Sequence, residues 1–483
     1  MLRKGIMGPV AHNDPAVAAG KAAAERAAAE AATICADLIR FDTTNRGEGV
    51  AHPERPAAEH VAALLDDAGA DPVIVESEPG RASVLARVPG TDPSHPAFLI
   101  HGHLDVVPAD PSEWTVPPFS GEVRDGCVWG RGAVDMKGSL AMTLATVRRR
   151  LREGRRTRGD LVLAFLADEE CTGAHGSRYV AREHRGYFEG CTEAISESGG
   201  FSVPAPADAA SSVGTGAGAA SGFTEAASSI VTAAGTRIYP IATGERGTAW
   251  MRLTARGTAG HGSKPAPDNA VAEIAHAVSR IAAHEWPVRL TPGVRALLDG
   301  LADALGTSID HDRLDEEAAR LGGVGRLFAG TIRNSANPTR LDAGYKVNVV
   351  PGTASAQVDG RYLPGTDEEF LATIDRLLGP RVAREFINHE QAPAADPAGP
   401  TFAALAGALR AEDPLARPVP YVMAGGTDAK SFNGIGIASF GFAPLLLGPD
   451  LDYLGMFHGV DERVPLDGLA FGTRVLDRFL DTR

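Results

Sequence analysis

Apolar and polar positions along this chain switch between helical and strand periods. The stretch "AAAERAAAEAATICADLIRF" (22–41) is rich in strong helix formers, and Ile34, Leu38 and Ile39 give its later turns an apolar face. "SVLARVPG" and "PAFLIHGH" read as strands, and "SLAMTLATVRRRLREG" as a helix whose basic end suits a helix C-terminus. "GDLVLAFLADEE" is a buried strand whose apolar run is broken only by the acids at its end. Strands alternating with helices predict an α/β layered domain, in which ligands collect at the carboxyl ends of strands. His103 and Glu169 stand at two such ends.

Residues 205–234 are dominated by Ala, Ser, Gly and Thr, which predicts a flexible surface insertion with no catalytic part. Beyond it the pattern changes. "TAWMRLTARGT" reads as a strand, "NAVAEIAHAVSRIAAH" as an amphipathic helix and "YKVNVVPGTASAQVDGRYLPG" as paired strands. "TDEEFLATIDRLLG" adds a helix and "VAREFINHE" a strand, together an α+β unit over 247–392. "TFAALAGALRAE", "PVPYVMAGGTDAKSF" and "IASFGFAP" then return to the first domain. The expected division is 1–246 and 393–483 for one domain, with 247–392 inserted.

A length of 483 residues agrees with more than one core. The net charge of −14 argues against nucleic-acid binding and against docking on anionic membranes. No apolar run approaches the ~20 residues of a spanning helix. The N-terminus has two early positive charges but no apolar stretch after them, so no secretory signal is read, and translation could start at Met1 or Met7. Cys35, Cys127, Cys171 and Cys191 form no C-x-x-C pair, which favours reduced thiols and a cytoplasmic protein.

Acids and histidines gather in "HGHLD" (His103, Asp105), "GRGAVDMKG" (Asp135), "LADEECTG" (Glu169, Glu170), "SESGG" (Glu197) and "MFHGVDE" (His458). The first four stretches follow one another at about one βα unit each, so their groups could converge on one sheet edge. Singly, an H-x-D is a strand-end hydrogen-bonding pair and E-E a solvated turn. Jointly, mixed histidine and carboxylate ligands suit Zn²⁺, with Co²⁺ or Mn²⁺ as alternatives, and the number of groups exceeds one site.

Here the sequence resembles the co-catalytic zinc exopeptidases and amidohydrolases, the family of aminoacylase, acetylornithine deacetylase, succinyl-diaminopimelate desuccinylase, glutamate carboxypeptidase and carnosinase. "HGHLDVVP", "WTVPPFSG", "DGCVWGRGAVDMKG", "DEE", "GHGSKP", "NVVPG" and "DGRYLPG" match its pattern in order. The resemblance implies a catalytic α/β domain with a mixed, mainly parallel sheet flanked by helices, plus an inserted α+β lid and dimerisation domain. It implies two divalent ions per chain, one on His103, Asp135 and Glu197, the other on Asp135, Glu170 and His458, with Asp135 bridging. Asp105 would bond the far nitrogen of His103, and Glu169 would be the general base that takes a proton from water and returns it to the leaving amine. Arg361 and Asn348 would contact the substrate's carboxylate end, with Arg246, Gly426 and Thr427 as weaker candidates. Arg361 could instead form a lid salt bridge. His261 would cross a homodimer made by the inserted domains and stabilise the oxyanion in the partner's site, where the bland alternative is a turn hydrogen bond. His101 lies outside this set and reads as a core histidine.

The function implied is hydrolysis of the amide bond of a small peptide or N-acyl amino acid with a free carboxylate. A catalytically inactive metal-binding or regulatory protein is the rival. A metal-free serine hydrolase lacks support, since no G-x-S-x-G elbow is present.

Overall fold

A computed structural model describes residues 15–47, 49–204 and 236–483, so the segment expected to be an insertion, 205–234, lies outside the described residues. Among the described residues the large sheet has nine strands. Along it run Val73–Glu76, Ala82–Val88, Leu161–Leu166, Ala97–His103, Cys191–Ser196, Ala438–Gly441, Arg237–Glu245 and Ala416–Met423, with Val203–Pro204 paired beside Arg237–Glu245. Its centre, from Leu161–Leu166 to Ala438–Gly441, is parallel, and the Val73–Val88 edge is antiparallel. The apolar run 161–166 is continuous because both faces are covered. Leu161, Leu163 and Phe165 face one core, built with the helices Pro15–Arg40, Lys137–Arg152 and Leu466–Leu480. Val162, Ala164 and Leu166 face another, with Val180, Phe188 and Phe432.

The second sheet has four antiparallel strands in the order Ser335–Ala343, Thr353–Tyr362, Gly247–Arg256, Val382–Glu390. One face is apolar: Ala249, Met251, Leu253 and Ala255 alternate along their strand and pack under the helices Ala270–Ala282 and Asp367–Leu378. Thr353–Tyr362 pairs within this sheet, whereas Val349–Val350 pairs with Gly260–His261, so "YKVNVVPGTASAQVDGRYLPG" does not form the hairpin its pattern suggested.

The expected 247–392 unit is interrupted. Helices Pro292–Leu305, Leu314–Leu321 and Arg326–Ala329 join the core of the large sheet, where Val294, Leu297, Leu298 and Leu301 cluster with Ile238, Val419 and Tyr421. The reason is a matter of available surface. The small sheet's apolar face is already covered, so an i, i+3, i+4, i+7 stripe finds its partner on the edge strand Ala416–Met423 of the large sheet. Thr291 caps the start of this helix, and Gly306, at φ 62°, ends it in the left-handed conformation.

Candidate active site

The strand Ala97–His103 ends by placing His103, fully buried, at the C-terminal edge of the parallel sheet. Its Nε2 lies 3.0 Å from Asp135 Oδ1, 3.5 Å from Glu197 Oε2 and 3.9 Å from Glu169 Oε2. Glu197 follows the strand Cys191–Ser196, and Glu169 and Glu170 follow Leu161–Leu166, so three adjacent parallel strands deliver their acids to one place. His458 arrives from the other end of the chain. Its Nε2 stands 3.3 Å from Asp135 Oδ2 and 3.2 Å from Glu170 Oε2. Two groups that could hold a metal ion result, His103–Asp135–Glu197 and Asp135–Glu170–His458, each with its ligand atoms within 4.8 Å of one another.

Asp105 faces the far nitrogen of His103 with both its main chain and its side chain. Its backbone carbonyl is 2.9 Å from His103 Nδ1 and its carboxylate 3.6 Å. That carboxylate also accepts the backbone N–H groups of Glu169 (3.1 Å) and Glu170 (3.2 Å) and the Asn45 amide (2.9 Å). One residue thus fixes the imidazole and, through its side chain, the two glutamates.

Sequence reasoning missed the supports. Glu462, fully buried, accepts the N–H groups of Gly132 (3.0 Å), Val134 (2.6 Å) and Asp135 (3.0 Å) and an ion pair from Arg131 (2.8 Å). Arg131 also donates to the carbonyls of Pro108 and His458. The loops that present Asp135 and His458 are therefore tied by a single buried pair. Asp168, at φ 67°, is held by Arg81, itself paired with buried Glu54. His458 is also left-handed, at φ 58°, a conformation rare for residues other than glycine and concentrated at functional sites. "VDERVP" gave no sign of this, because an acid next to an arginine usually belongs to a solvated surface.

The electrostatics call for a cation. Burial, reinforced by Glu197, pushes Glu169 well above the usual carboxylate range, and burial pushes Glu197 up to about 8. Glu170 Oε1 is buried with no hydrogen-bond partner among the described residues. Four carboxylates crowded around two imidazoles, one oxygen orphaned, are the donor set that divalent ions compensate. His101, by contrast, is the expected core histidine. It is buried against Phe432 at 4.6 Å, with Nδ1 near Ser196 Oγ, and burial pushes it down to about 3, into the neutral form.

The acids line a cavity of about 700 Å³ that also reaches Arg246, Thr248, Arg361, Thr427 and Lys430. Arg361 projects from the small sheet and is paired with Asp359 at 2.7 Å within its own strand, so both readings of it meet: a salt bridge, and a cation on the cavity wall. Arg246 spends its guanidinium on the carbonyls of Ala424, Gly330 and Arg333. Thr427 donates to Glu245, at 3.0 Å. His261 and Asn348 do not line the cavity. They sit together, exposed, where Gly262 N donates to Asn348 O at 2.9 Å.

Two triads able to hold divalent ions, with a buried carboxylate beside them at the end of a parallel sheet, are the arrangement used by metal-dependent hydrolases. The chain belongs to the peptidase family M20/M25/M40, whose pattern matches residues 99–482. Aminoacylase-1 of Pongo abelii is 27% identical over 414 residues, 83% of this chain and 84% of its own. Among solved structures, the di-peptidase Dug1p of Saccharomyces cerevisiae aligns with a TM-score of 0.65 at 16% identity, over 95% of this chain and 97% of its own. The dinuclear metal-binding M20 peptidase YXEP of Bacillus subtilis aligns with a TM-score of 0.56 at 14% identity, over 95% and 98%.

Proposed function

We propose that this chain is a dinuclear, zinc-dependent hydrolase cleaving the amide bond of a small peptide or N-acyl amino acid that carries a free carboxylate. The observation that carries the reading is Asp135, whose two oxygens face His103 on one side and His458 on the other. In this reading one ion is held by His103, Asp135 and Glu197 and the second by Asp135, Glu170 and His458, zinc being favoured over cobalt or manganese by the mixed donor set. Such ions, when bound, polarise a scissile carbonyl and acidify water. Glu169 belongs to neither triad yet lines the same cavity, so its carboxylate is free to take a proton from the attacking water and deliver it to the leaving amine nitrogen. Asp105 anchors the turn that presents Glu169 and Glu170 by accepting both backbone N–H groups. Arg361 faces the carboxylate of the substrate. The names of the relatives, an aminoacylase and a di-peptidase, support the substrate class.

His261 completes the reading as a residue of a homodimer. Its Nδ1 makes the turn contacts of the alternative reading, with Ser263 Oγ at 2.8 Å and Ser263 N at 3.2 Å, and in the tautomer that accepts the Ser263 N–H its exposed Nε2 is a donor with no acceptor among the described residues. Such a donor suits an oxyanion in a second copy. Cys35 and Cys191 are buried thiols, in keeping with the reducing cytoplasmic setting of this reading. Elemental analysis of dialysed protein, with a screen of dipeptides and N-acyl amino acids read by released amine, tests the proposal. Two ions per chain with turnover of one class is the expected result. One ion or none would defeat the dinuclear centre, and silence across the screen with metal-loaded protein would favour a binding-only protein.

A further inference from the structure

Lys430 is a buried lysine with too few partners. It lies on the short helix Ala429–Asn433, its side chain 5% exposed, and lines the same cavity as the paired triads. An ammonium has three donors. Among the described residues Lys430 Nζ makes one hydrogen bond, to Thr248 Oγ1 at 3.2 Å, and its nearest carboxylate oxygen, Glu245 Oε2, stands at 3.8 Å, itself with no hydrogen-bond partner. A buried charge is costly unless bonded. The pair with Glu245 balances charge but leaves two N–H groups unused.

Thr248 is equally one-sided. Its hydroxyl oxygen accepts from Lys430 and also from Arg361 Nη1, at 3.2 Å, so two cations, one from a helix and one from the small sheet, converge on one oxygen. Its own hydrogen has no acceptor among the described residues. The other arms of Arg361, Nε and Nη2, are taken by Asp359 at 2.7 and 3.3 Å. The glycine beside this cluster is explained by it: a Cβ on Gly426 would stand 1.9 Å from Lys430 Nζ. Position 426 is thus kept open for an ammonium group.

Unspent donors on Lys430 and Thr248, next to a cation already anchored, make a seat for an anion with two acceptor oxygens. Resting on the proposed hydrolysis of carboxylate-bearing amides, we propose that Lys430 and Thr248 bind the substrate's free carboxylate together with Arg361, and that Lys430 is the residue that makes this carboxylate a requirement. A carboxylate takes the two open N–H groups of Lys430 and the Thr248 proton, and the 3.8 Å gap to Glu245 leaves the ammonium able to turn toward it.

The test compares N-acetyl-L-leucine with its primary amide, N-acetyl-L-leucinamide, on metal-loaded wild type, Lys430→Met, the double variant Lys430→Met/Glu245→Gln, and Gly426→Ala. The double variant removes the carboxylate that the single one would strand. Gly426→Ala displaces only the flexible end of Lys430. Hydrogen bonds to charged groups predict a rise of roughly 10- to 100-fold in KM for the acid, with kcat and metal content retained. The amide should be cleaved equally by wild type and the two Lys430 variants, so the preference for acid over amide collapses. Equal losses on acid and amide would assign Lys430 a structural role and overturn the inference, as would an unchanged preference. If wild type cleaves neither this pair nor any acyl amino acid or dipeptide, the proposed function falls and this inference with it.

Discussion

Asp135 offers one carboxylate oxygen to each histidine, and its neighbour in role, Glu169, offers none to either triad. That separation at the level of single atoms yields the sharpest prediction. Glu169→Gln keeps the volume and the backbone bond to Asp105, so metal content should be unchanged while kcat falls ~10²-fold or more. Parallel loss of metal and activity, read by elemental analysis beside steady-state kinetics, would instead assign the proton-handling part to Glu170. The ligand candidates were legible as residues because histidines and acids after apolar strands are unusual in combination. Glu462, Asn45, Arg81 and Lys430 were not legible. Each is a charged or amide residue in a turn-rich stretch, and only the fold reveals that its partners are backbone amides and buried ions rather than water.

Elements with a strong period were legible too: the central strands 97–103 and 161–166 and the helices 137–152, 270–282 and 367–378 all stand where the pattern placed them. Arg237–Glu245 escaped because Pro240 and Gly244 interrupt its apolar residues, as suits a strand that hands over to the second sheet at Gly247. The destination of Pro292–Leu305 escaped for another reason. An amphipathic stripe announces that a helix will be covered, not by which sheet. Since Leu298 is fully buried in the larger core, Leu298→Ala should cost about 2–5 kcal/mol. Urea unfolding followed through a probe on the large sheet measures it. A shift seen only by a probe on the small sheet would contradict the packing described here.

For the whole molecule, the segment 292–329 means that the chain crosses between its two cores more often than a single insertion requires. An ion pair between Arg178 of the large unit and Glu390 of the small one, at 2.6 Å, holds the cavity wall across this boundary. If active sites are shared in a homodimer, His261→Ala and Glu169→Gln chains, each inactive alone, should complement. Subunit exchange to the statistical limit would restore about a quarter of wild-type turnover, since half the dimers are mixed and each mixed dimer has one intact site. Proven mixed dimers without recovery would confine His261 to its own chain or to none. The Glu462 lock has a bearing on biosynthesis. A ribosome delivers His103, Asp135, Glu170 and Glu197 long before His458 and Glu462, so the nascent chain carries an acidic half-site whose Asp135 loop still lacks its three bonds to Glu462. Closure of the second candidate triad and completion of the fold become one late event, and a chain cut short before residue 458 would lack both the Glu462 clamp on the Asp135 loop and the last candidate ligand.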